Sequence, residues 1–135
     1  MKVYLAHHGN EETKHSAKIL QEDMKSKGIE VINPFDWCTR AKILQTTWDT
    51  NPDYRSSKLV KDIVETDKKA ILSCDALFAA IHKPSVGTSM EILFAYDHFI
   101  PVFILTDYES PWLRYHGTII NSVEELVRRL EKIEK

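Results

Sequence analysis

The chain has 135 residues, of which 43% are hydrophobic and 28% charged, and its formal net charge is -2. This length and composition predict one globular domain, residues 1–135, with a core of its own. The small net charge excludes global attraction to a nucleic-acid polymer or an anionic membrane, so any phosphate group has to be held by a local site.

The start of the chain and its cysteines indicate a cytoplasmic location. The opening MKVYLAHHG lacks a long apolar run with a cleavage site, and no apolar stretch in the sequence is long enough to span a bilayer. Cys38 and Cys74 stand in no metal-binding spacing. We therefore expect free thiols in a reducing compartment.

Strands and helices alternate from the beginning of the chain. Residues 2–6 predict a strand that ends at the loop HHGN, and residues 11–27 carry apolar side chains at helical spacing. Gly28 is typical of a helix C-cap, and a second strand is predicted at residues 29–32.

The segment 37–57 is long, polar and aromatic, which favours a lid or a binding loop. A short helix at residues 41–46 is a compatible alternative. Trp37 in this segment can stack on a nucleobase, or it can anchor the loop in the core.

The remaining predicted elements continue the alternation. They are a helix at 58–72, a strand at 76–81, a helix at 88–98, a strand at 101–105, a short fifth strand near 117–120 and a helix at 122–132 that opens with the capping box S-V-E-E. This order predicts an α/β three-layer sandwich with a parallel sheet of four or five strands. Functional residues of such sheets gather at the carboxyl ends of the strands.

The segment KPSVGTSMEILFAY carries the sharpest chemical signal. Thr88 is predicted as the N-cap of a helix, and Glu91 follows three residues later. One interpretation is a capping box in which Glu91 only caps the N-terminus of the helix. The other is a nucleophile, because a carboxylate in the first helical turn is favoured in its charged form and can attack an anomeric carbon.

Attack at a sugar also requires a group beside the leaving base. Glu65 and Asp67 on the preceding helix and Asp75 before the apolar strand are candidates, although each is also an ordinary solvated or turn residue. His7 and His8 end the first strand, where they contact a ligand or simply line the loop. The six histidines show no HxH or HExxH spacing, so no metal is expected.

These residues together resemble the nucleoside 2-deoxyribosyltransferase superfamily. The pieces are Y-L-A in the first strand, E-x-D on a helix, S-C-D before an apolar strand, and P-S-x-G-x-x-x-E-I-x-x-A. The superfamily includes base-exchanging transferases and 2′-deoxynucleoside 5′-monophosphate N-hydrolases. The resemblance covers nearly the whole chain and implies a flavodoxin-like fold without a cofactor.

The resemblance also implies roles for individual residues in a retaining double displacement. Glu91 would form the covalent glycosyl-enzyme, Asp67 would assist the leaving base, and Tyr4 would orient the nucleophile. The expected substrate contacts are His7, His8, Ser85, Gly87, Ser89, Asp75 and Trp37.

Two departures from the family pattern bear on the substrate. Ser85 stands where transferases commonly carry an acidic residue, as it does in the monophosphate hydrolases, and a hydroxyl at a helix start can bind a 5′-phosphate. The hydrolases, however, have a serine and an arginine in the first loop where this chain has His8 and Asn10. Transfer, hydrolysis and non-catalytic nucleotide binding therefore stay open.

The resemblance further implies an assembly whose sites lie near subunit contacts. The aromatic side chains of segment 96–103, together with Trp112 and Tyr115, can present more apolar surface than one small core buries. We expect a homodimer or a higher homo-oligomer that binds a nucleoside or nucleotide and a free nucleobase.

Overall fold

The structure, a computed structural model, describes residues 1–9, 11–36 and 57–134. Its strands are β1 (Lys2–His7), β2 (Glu30–Ile32), β3 (Ala76–Ile81), β4 (Val102–Thr106) and β5 (Thr118–Ile119). Its helices are α1 (Glu11–Ser26), α2 (Ser57–Leu72), α3 (Val86–Asp97), α4 (Pro111–His116) and α5 (Val123–Glu134). A short 3₁₀ helix, Pro34–Asp36, follows β2.

The described strands form one parallel sheet in the order β2-β1-β3-β4-β5. Tyr4 in β1 lies between Ile32 of β2 and Leu77 of β3. This is the flavodoxin-like order, and its switch point falls between β1 and β3. The predicted α/β class, the parallel sheet and the fifth strand are confirmed.

Alternating residues of β1 face two separate cores. Val3 and Leu5 belong to a buried cluster with Met24 of α1, whereas Tyr4 and Ala6 belong to a cluster on the other face of the sheet. Residues of α5 complete the first cluster, and residues of α2 and α3 complete the second. The sheet is therefore the middle of three layers, and all six residues of β3 are buried.

The end of α1 follows the prediction closely. Gly28 has φ 83°, a left-handed conformation that costs glycine no side-chain clash. Its N–H donates to the carbonyl of Lys25, and the N–H of Ile29 donates to the carbonyl of Met24, at 3.0 and 3.1 Å. These two bonds make a Schellman motif, which turns the chain into β2.

The start of α3 corrects the sequence prediction. The helix begins at Val86 with Ser85 as its N-cap, and the Ser85 side chain accepts from the Thr88 N–H at 3.3 Å. The prediction that Thr88 is the N-cap is wrong, because Ser85 offers a capping oxygen three residues earlier. Thr88 is instead buried, and its Oγ1 has no hydrogen-bond partner in the part of the chain that the structure describes. Glu91 therefore lies in the second turn and does not cap the N-terminus of the helix.

Two further findings concern the second half of the chain. The short helix α4 was not predicted, although Pro111 after Ser110 is a typical helix start. The predicted cap of α5 is confirmed at Ser122, whose Oγ accepts from the Glu125 N–H at 3.1 Å. The Glu125 side chain reaches back to the Asn121 N–H at 2.9 Å, one residue before the N–H that a strict capping box uses.

Some predictions fall on residues that the structure does not describe. The long loop at 37–57 lies outside the described residues except at its last residue, and the short helix at 41–46 and Trp37 lie outside them entirely. Within the described ranges, no helix is both long and apolar enough to cross a membrane.

Candidate active site

Tyr4 and Glu91 meet on the α3 face of the sheet. Tyr4 is fully buried in β1, and its alternation with Val3 and Leu5 directs its ring toward α3. Its hydroxyl donates a hydrogen bond to Oε2 of Glu91, which is half-buried. Because the phenol hydroxyl donates a hydrogen bond to one carboxylate oxygen, it fixes the orientation of the carboxylate at the switch point of the sheet.

Because Glu91 lies in the second turn of α3, the helix dipole is no longer the main reason to expect a charged carboxylate. The field of a helix N-terminus falls off within the first turn, so it stabilises Glu91 less than a first-turn position would. The hydrogen bond from Tyr4 is a more direct stabilisation of the anion. Because Ser85 caps α3, the helix does not need the Glu91 carboxylate as a cap.

The first turn of α3 offers polar groups at the carboxyl edge of β3. Ser85 is half-buried, while Gly87 and Ser89 are exposed. The Ser89 hydroxyl donates to the Ser85 carbonyl at 2.8 Å. Among the described residues, no atom lies within 4 Å of a Cβ added to Gly87, so the side of the turn at Gly87 is open there. The first N–H groups of a helix lack intrahelical acceptors and suit an anion.

Asp67 lies half-buried on α2, which packs beside α3 on the same face as Glu91. Glu65, two residues earlier, is exposed. The helix that carries the predicted leaving-group residue is thus adjacent to the helix of the predicted nucleophile. Burial distinguishes Asp67 from Glu65, which the sequence alone did not.

Asp75 requires a correction, because the structure places it away from the other candidates. It precedes β3, at the amino end of the strand, and accepts a hydrogen bond from the Lys2 N–H at 2.8 Å. Its own N–H donates to the Lys2 carbonyl at 2.7 Å. Asp75 therefore joins the starts of two parallel strands, at the edge of the sheet opposite the loops HHGN and KPSVG.

His7 points to the α1 face of the sheet and is buried behind the first loop. Its Nδ1 lies 2.9 Å from the carbonyl oxygen of His8, and its Nε2 lies 3.2 Å from Oδ1 of Asn33. The ring also packs on Phe35, with 4.5 Å between the ring centroids. Burial lowers the pKa of His7. These contacts favour support of the loop over direct contact with a ligand, and they add Asn33, which the sequence analysis interpreted only as the end of a strand.

His8 is half-buried in the loop itself and presents its carbonyl to His7. Within the described ranges, no group of three or more His, Cys, Asp or Glu side chains is placed to hold a metal ion. Trp37 and Asn10, which the sequence analysis also considered, lie outside those ranges.

Known proteins share both the sequence pattern and the fold. A family model described as nucleoside 2-deoxyribosyltransferase matches residues 3–127. A 2-deoxyribosyltransferase from Bacillus psychrosaccharolyticus has a similar structure, with a TM-score of 0.71 and 18% identity, over 93% of this chain and 90% of that one. No curated protein sequence matches the chain.

Two other solved structures extend the comparison. A conserved protein from Enterococcus faecalis V583 has a TM-score of 0.69 and 19% identity, with 98% of each chain covered. A CMP N-glycosidase from Clostridium botulinum has a TM-score of 0.60 and 20% identity, over 97% of this chain and 99% of that one. At these identities the likeness establishes the fold alone.

Proposed function

The chain belongs to the nucleoside 2-deoxyribosyltransferase family, and from that premise we propose that it cleaves the N-glycosidic bond of a nucleoside or nucleotide with Glu91 as the nucleophile. The hydrogen bond from the buried Tyr4 hydroxyl to the Glu91 carboxylate carries the proposal. It orients a carboxylate that does not cap α3, and it starts from β1, one of the two strands at the switch point where ligands of this fold bind.

The reaction proceeds in two displacements at C1′ of the sugar. In the first, an Oε of Glu91 attacks C1′ while the bond to the base breaks with its electron pair, and Asp67 in its acid form protonates the leaving base. In the second, water or another base attacks C1′, gives its proton to the Asp67 carboxylate and releases Glu91. Two inversions leave the anomeric configuration retained.

A 5′-monophosphate N-hydrolase is the second candidate within this chemistry. Ser85 at the N-cap of α3 adds no negative charge, and among the described residues nothing crowds the Cα of Gly87 in the following turn. Such a turn suits a dianionic phosphate, whereas a carboxylate at the same position would repel it. A solved CMP N-glycosidase has the same fold, which is consistent with this candidate.

Product analysis tests the proposed function. The protein is incubated with deoxynucleosides and their 5′-monophosphates, each with and without an acceptor base. Release of free base in water alone identifies a hydrolase, and a new nucleoside only with acceptor identifies a transferase. No bond cleavage in a folded protein that still binds these compounds would leave a non-catalytic nucleotide-binding module.

We also propose that the chain forms at least a dimer through the aromatic surface of α3 and α4. Phe99, Trp112 and Tyr115 are 94%, 75% and 69% exposed. Phe99 also has φ 61°, a conformation that favours glycine. Phe99 therefore contributes little to the core, and its backbone is strained. A contact of its side chain with another molecule explains a phenylalanine here better than a role in the fold does.

Sedimentation of the wild type and of Phe99→Gly tests this assembly. The glycine relieves the backbone strain, so the fold should not lose stability, while association should weaken by about tenfold or more. A wild type that stays monomeric at micromolar concentration would contradict the proposal.

A further inference from the structure

One buried hydroxyl lacks a partner at the start of α3. Thr88 is only 2% exposed, and among the described residues its Oγ1 has no hydrogen-bond partner. The side chains of Asn33 and Gln21, which are buried to the same degree, are hydrogen-bonded to each other. A buried hydroxyl without a partner costs free energy, and valine has the same shape without that cost. A threonine at this position therefore requires a reason beyond the packing of the free protein.

The nearby backbone carbonyls do not supply the partner. A helical threonine usually donates to the carbonyl three or four residues before it. The carbonyl three residues before Thr88 is that of Ser85, which already accepts from the N–H and the hydroxyl of Ser89, at 3.0 and 2.8 Å. The carbonyl four residues before it belongs to Pro84, which precedes the N-cap and is not part of the helix. Any partner that the Thr88 hydroxyl gains therefore lies outside the backbone of this turn.

The side chain of Glu91 is the neighbour with a suitable reach. Residues three apart on a helix lie on the same side, with about 5–6 Å between their Cβ atoms. Helical side chains also lean toward the N-terminus, so the Glu91 side chain extends over the turn that contains Thr88. Capping boxes show that a glutamate reaches the residue three positions before it. A hydrogen bond between the Thr88 hydroxyl and the Glu91 carboxylate thus requires only the rotation of side chains.

The sheet brings the Tyr4 hydroxyl to the same carboxylate. Thr88 shares the buried side of α3 with Ile92 and Ala95, which pack with Tyr4 in one cluster. Tyr4 donates to Oε2 of Glu91 in the free protein. Of the two hydroxyls beside this carboxylate, one from β1 and one from α3, only that of Tyr4 is bonded to it in the free protein.

The proposed reaction moves the Glu91 carboxylate toward Thr88. Ligands of this fold bind at the carboxyl edge of the sheet, and α3 begins at that edge because it follows β3. A Glu91 oxygen that bonds to C1′ of a sugar at this edge is displaced toward the first turn of α3, where Thr88 lies. The other oxygen becomes the carbonyl oxygen of an ester, which still accepts a hydrogen bond.

We infer that Thr88 is a positioning residue for the second displacement of the proposed reaction. Its hydroxyl donates to the Glu91 ester in the glycosyl-enzyme. When water or a base attacks C1′, the bond from C1′ to Glu91 breaks with its electron pair on the Glu91 oxygen, and the proton of the nucleophile goes to Asp67. The Thr88 hydrogen bond strengthens as negative charge returns to the carboxylate, so it stabilises this transition state. This inference rests on the proposed function and adds the group that helps Glu91 to leave.

A slower second displacement has a kinetic signature that a folding defect lacks. The ratio kcat/KM covers the steps up to release of the first base, whereas kcat also includes the return of the free enzyme. Loss of the Thr88 hydroxyl should therefore lower kcat and KM by the same factor, while kcat/KM stays within about twofold of the wild type. A loss of folded protein would instead lower kcat and kcat/KM together.

Thr88→Val tests this role, because it removes the hydroxyl and keeps the shape of the side chain. The probes are the common deoxynucleosides and their 5′-monophosphates, with and without a free base as acceptor, and kinetics are measured on those that the wild type cleaves. We expect kcat to fall by about tenfold or more, with an equal fall in KM. In quenched reactions, mass spectrometry should find a larger fraction of glycosyl-enzyme than in the wild type. Urea denaturation should show equal or greater stability.

Two further variants serve as controls. Thr88→Ser keeps a hydroxyl at the same position and should restore most of the wild-type kcat. Thr118→Val makes the same chemical change at an exposed position of β5 and should leave kcat and KM unchanged. The role of Thr88 would be overturned by a Thr88→Val protein that keeps wild-type kcat, that loses kcat/KM as much as kcat, or that is less stable than the wild type. A Thr88→Ser protein as slow as Thr88→Val would overturn it as well.

The role of Thr88 and the proposed function fail in different ways. A wild type that cleaves none of the probes overturns both. A wild type that cleaves a probe through an adduct on Glu91, with unchanged kcat in Thr88→Val, keeps the proposed function and overturns the role of Thr88 alone.

Discussion

Two regions lie on opposite faces of the sheet, and they differ in what their hydrogen bonds do. On the α3 face, one hydrogen bond joins Tyr4 to Glu91 and orients a carboxylate. On the α1 face, a chain of hydrogen bonds runs from His7 through Asn33 to Asp36. The first region supplies an electron pair, and the second holds a buried histidine between two acceptors.

This difference separates bond cleavage from support of the loop that follows β1. A nucleophile has to be an oriented anion, which the Tyr4 hydroxyl stabilises. The His7 ring instead lies within hydrogen-bond distance of the His8 carbonyl and of Asn33 Oδ1, so it supports the backbone of the loop that follows β1. Changes on the α3 face should therefore lower turnover, while changes at His7 should alter mainly stability and its pH dependence.

The largest effect is expected from Glu91→Gln. The amide keeps the size of the side chain but cannot form the glycosyl ester, so kcat should fall by at least about a thousandfold. The matched control is Glu65→Gln, an exposed position of α2, which should keep wild-type kcat. Near-normal turnover in a folded Glu91→Gln protein would remove Glu91 from the nucleophile role.

Tyr4→Phe should have the next largest effect, because it removes only the hydroxyl that orients Glu91. We expect kcat to fall by about ten- to a hundredfold with little change in KM, since the ring that fills the core stays in place. Steady-state kinetics with thermal denaturation separates the two contributions. A fall in stability that accounts for the lost activity would make Tyr4 a core residue only.

Ser85→Asp tests whether the start of α3 binds a phosphate. Aspartate caps a helix as well as serine does, so α3 should keep its start. Its charge should shift the kcat/KM ratio toward the unphosphorylated substrate by at least about tenfold, which is about 1.4 kcal/mol. Ser85→Ala is the neutral control. A wild type that ignores monophosphates would defeat the phosphate role of Ser85, whatever the variant does.

The smallest effect concerns the stability of the free protein. The pKa of His7 is lowered in the folded state, so below about pH 6.5 the unfolded chain binds a proton that the folded chain does not. Stability is therefore lost as pH falls from about 6.5 to the lowered pKa, by up to about 1.4 kcal/mol per pH unit. Urea denaturation at about pH 7.5 and 5.5 should show a larger loss for the wild type than for His7→Gln. An equal loss would mean that His7 does not titrate differently in the folded protein.

The sequence predicted the sheet well, because apolar runs such as residues 76–81 and the cap at Gly28 are local signals. It misplaced the start of α3, because Ser85 and Thr88 are both good caps and only packing decides which one is used. The Glu91 region was visible as a motif of contiguous residues. The hydrogen-bonded series from His7 to Asp36 was not, because its members come from three elements and from Asn33 after β2, and each alone is an ordinary polar residue.

Covalent trapping tests the central claim most directly. A 2-fluoro-2-deoxy nucleoside, or its 5′-monophosphate, slows the second displacement more than the first, so the glycosyl-enzyme should accumulate. We predict that the mass of the protein increases by one fluorosugar unit, that peptide mapping places the adduct on Glu91, and that Glu91→Gln gains none. Turnover of the natural substrate with no adduct on Glu91, or with the adduct on another residue, would contradict the account.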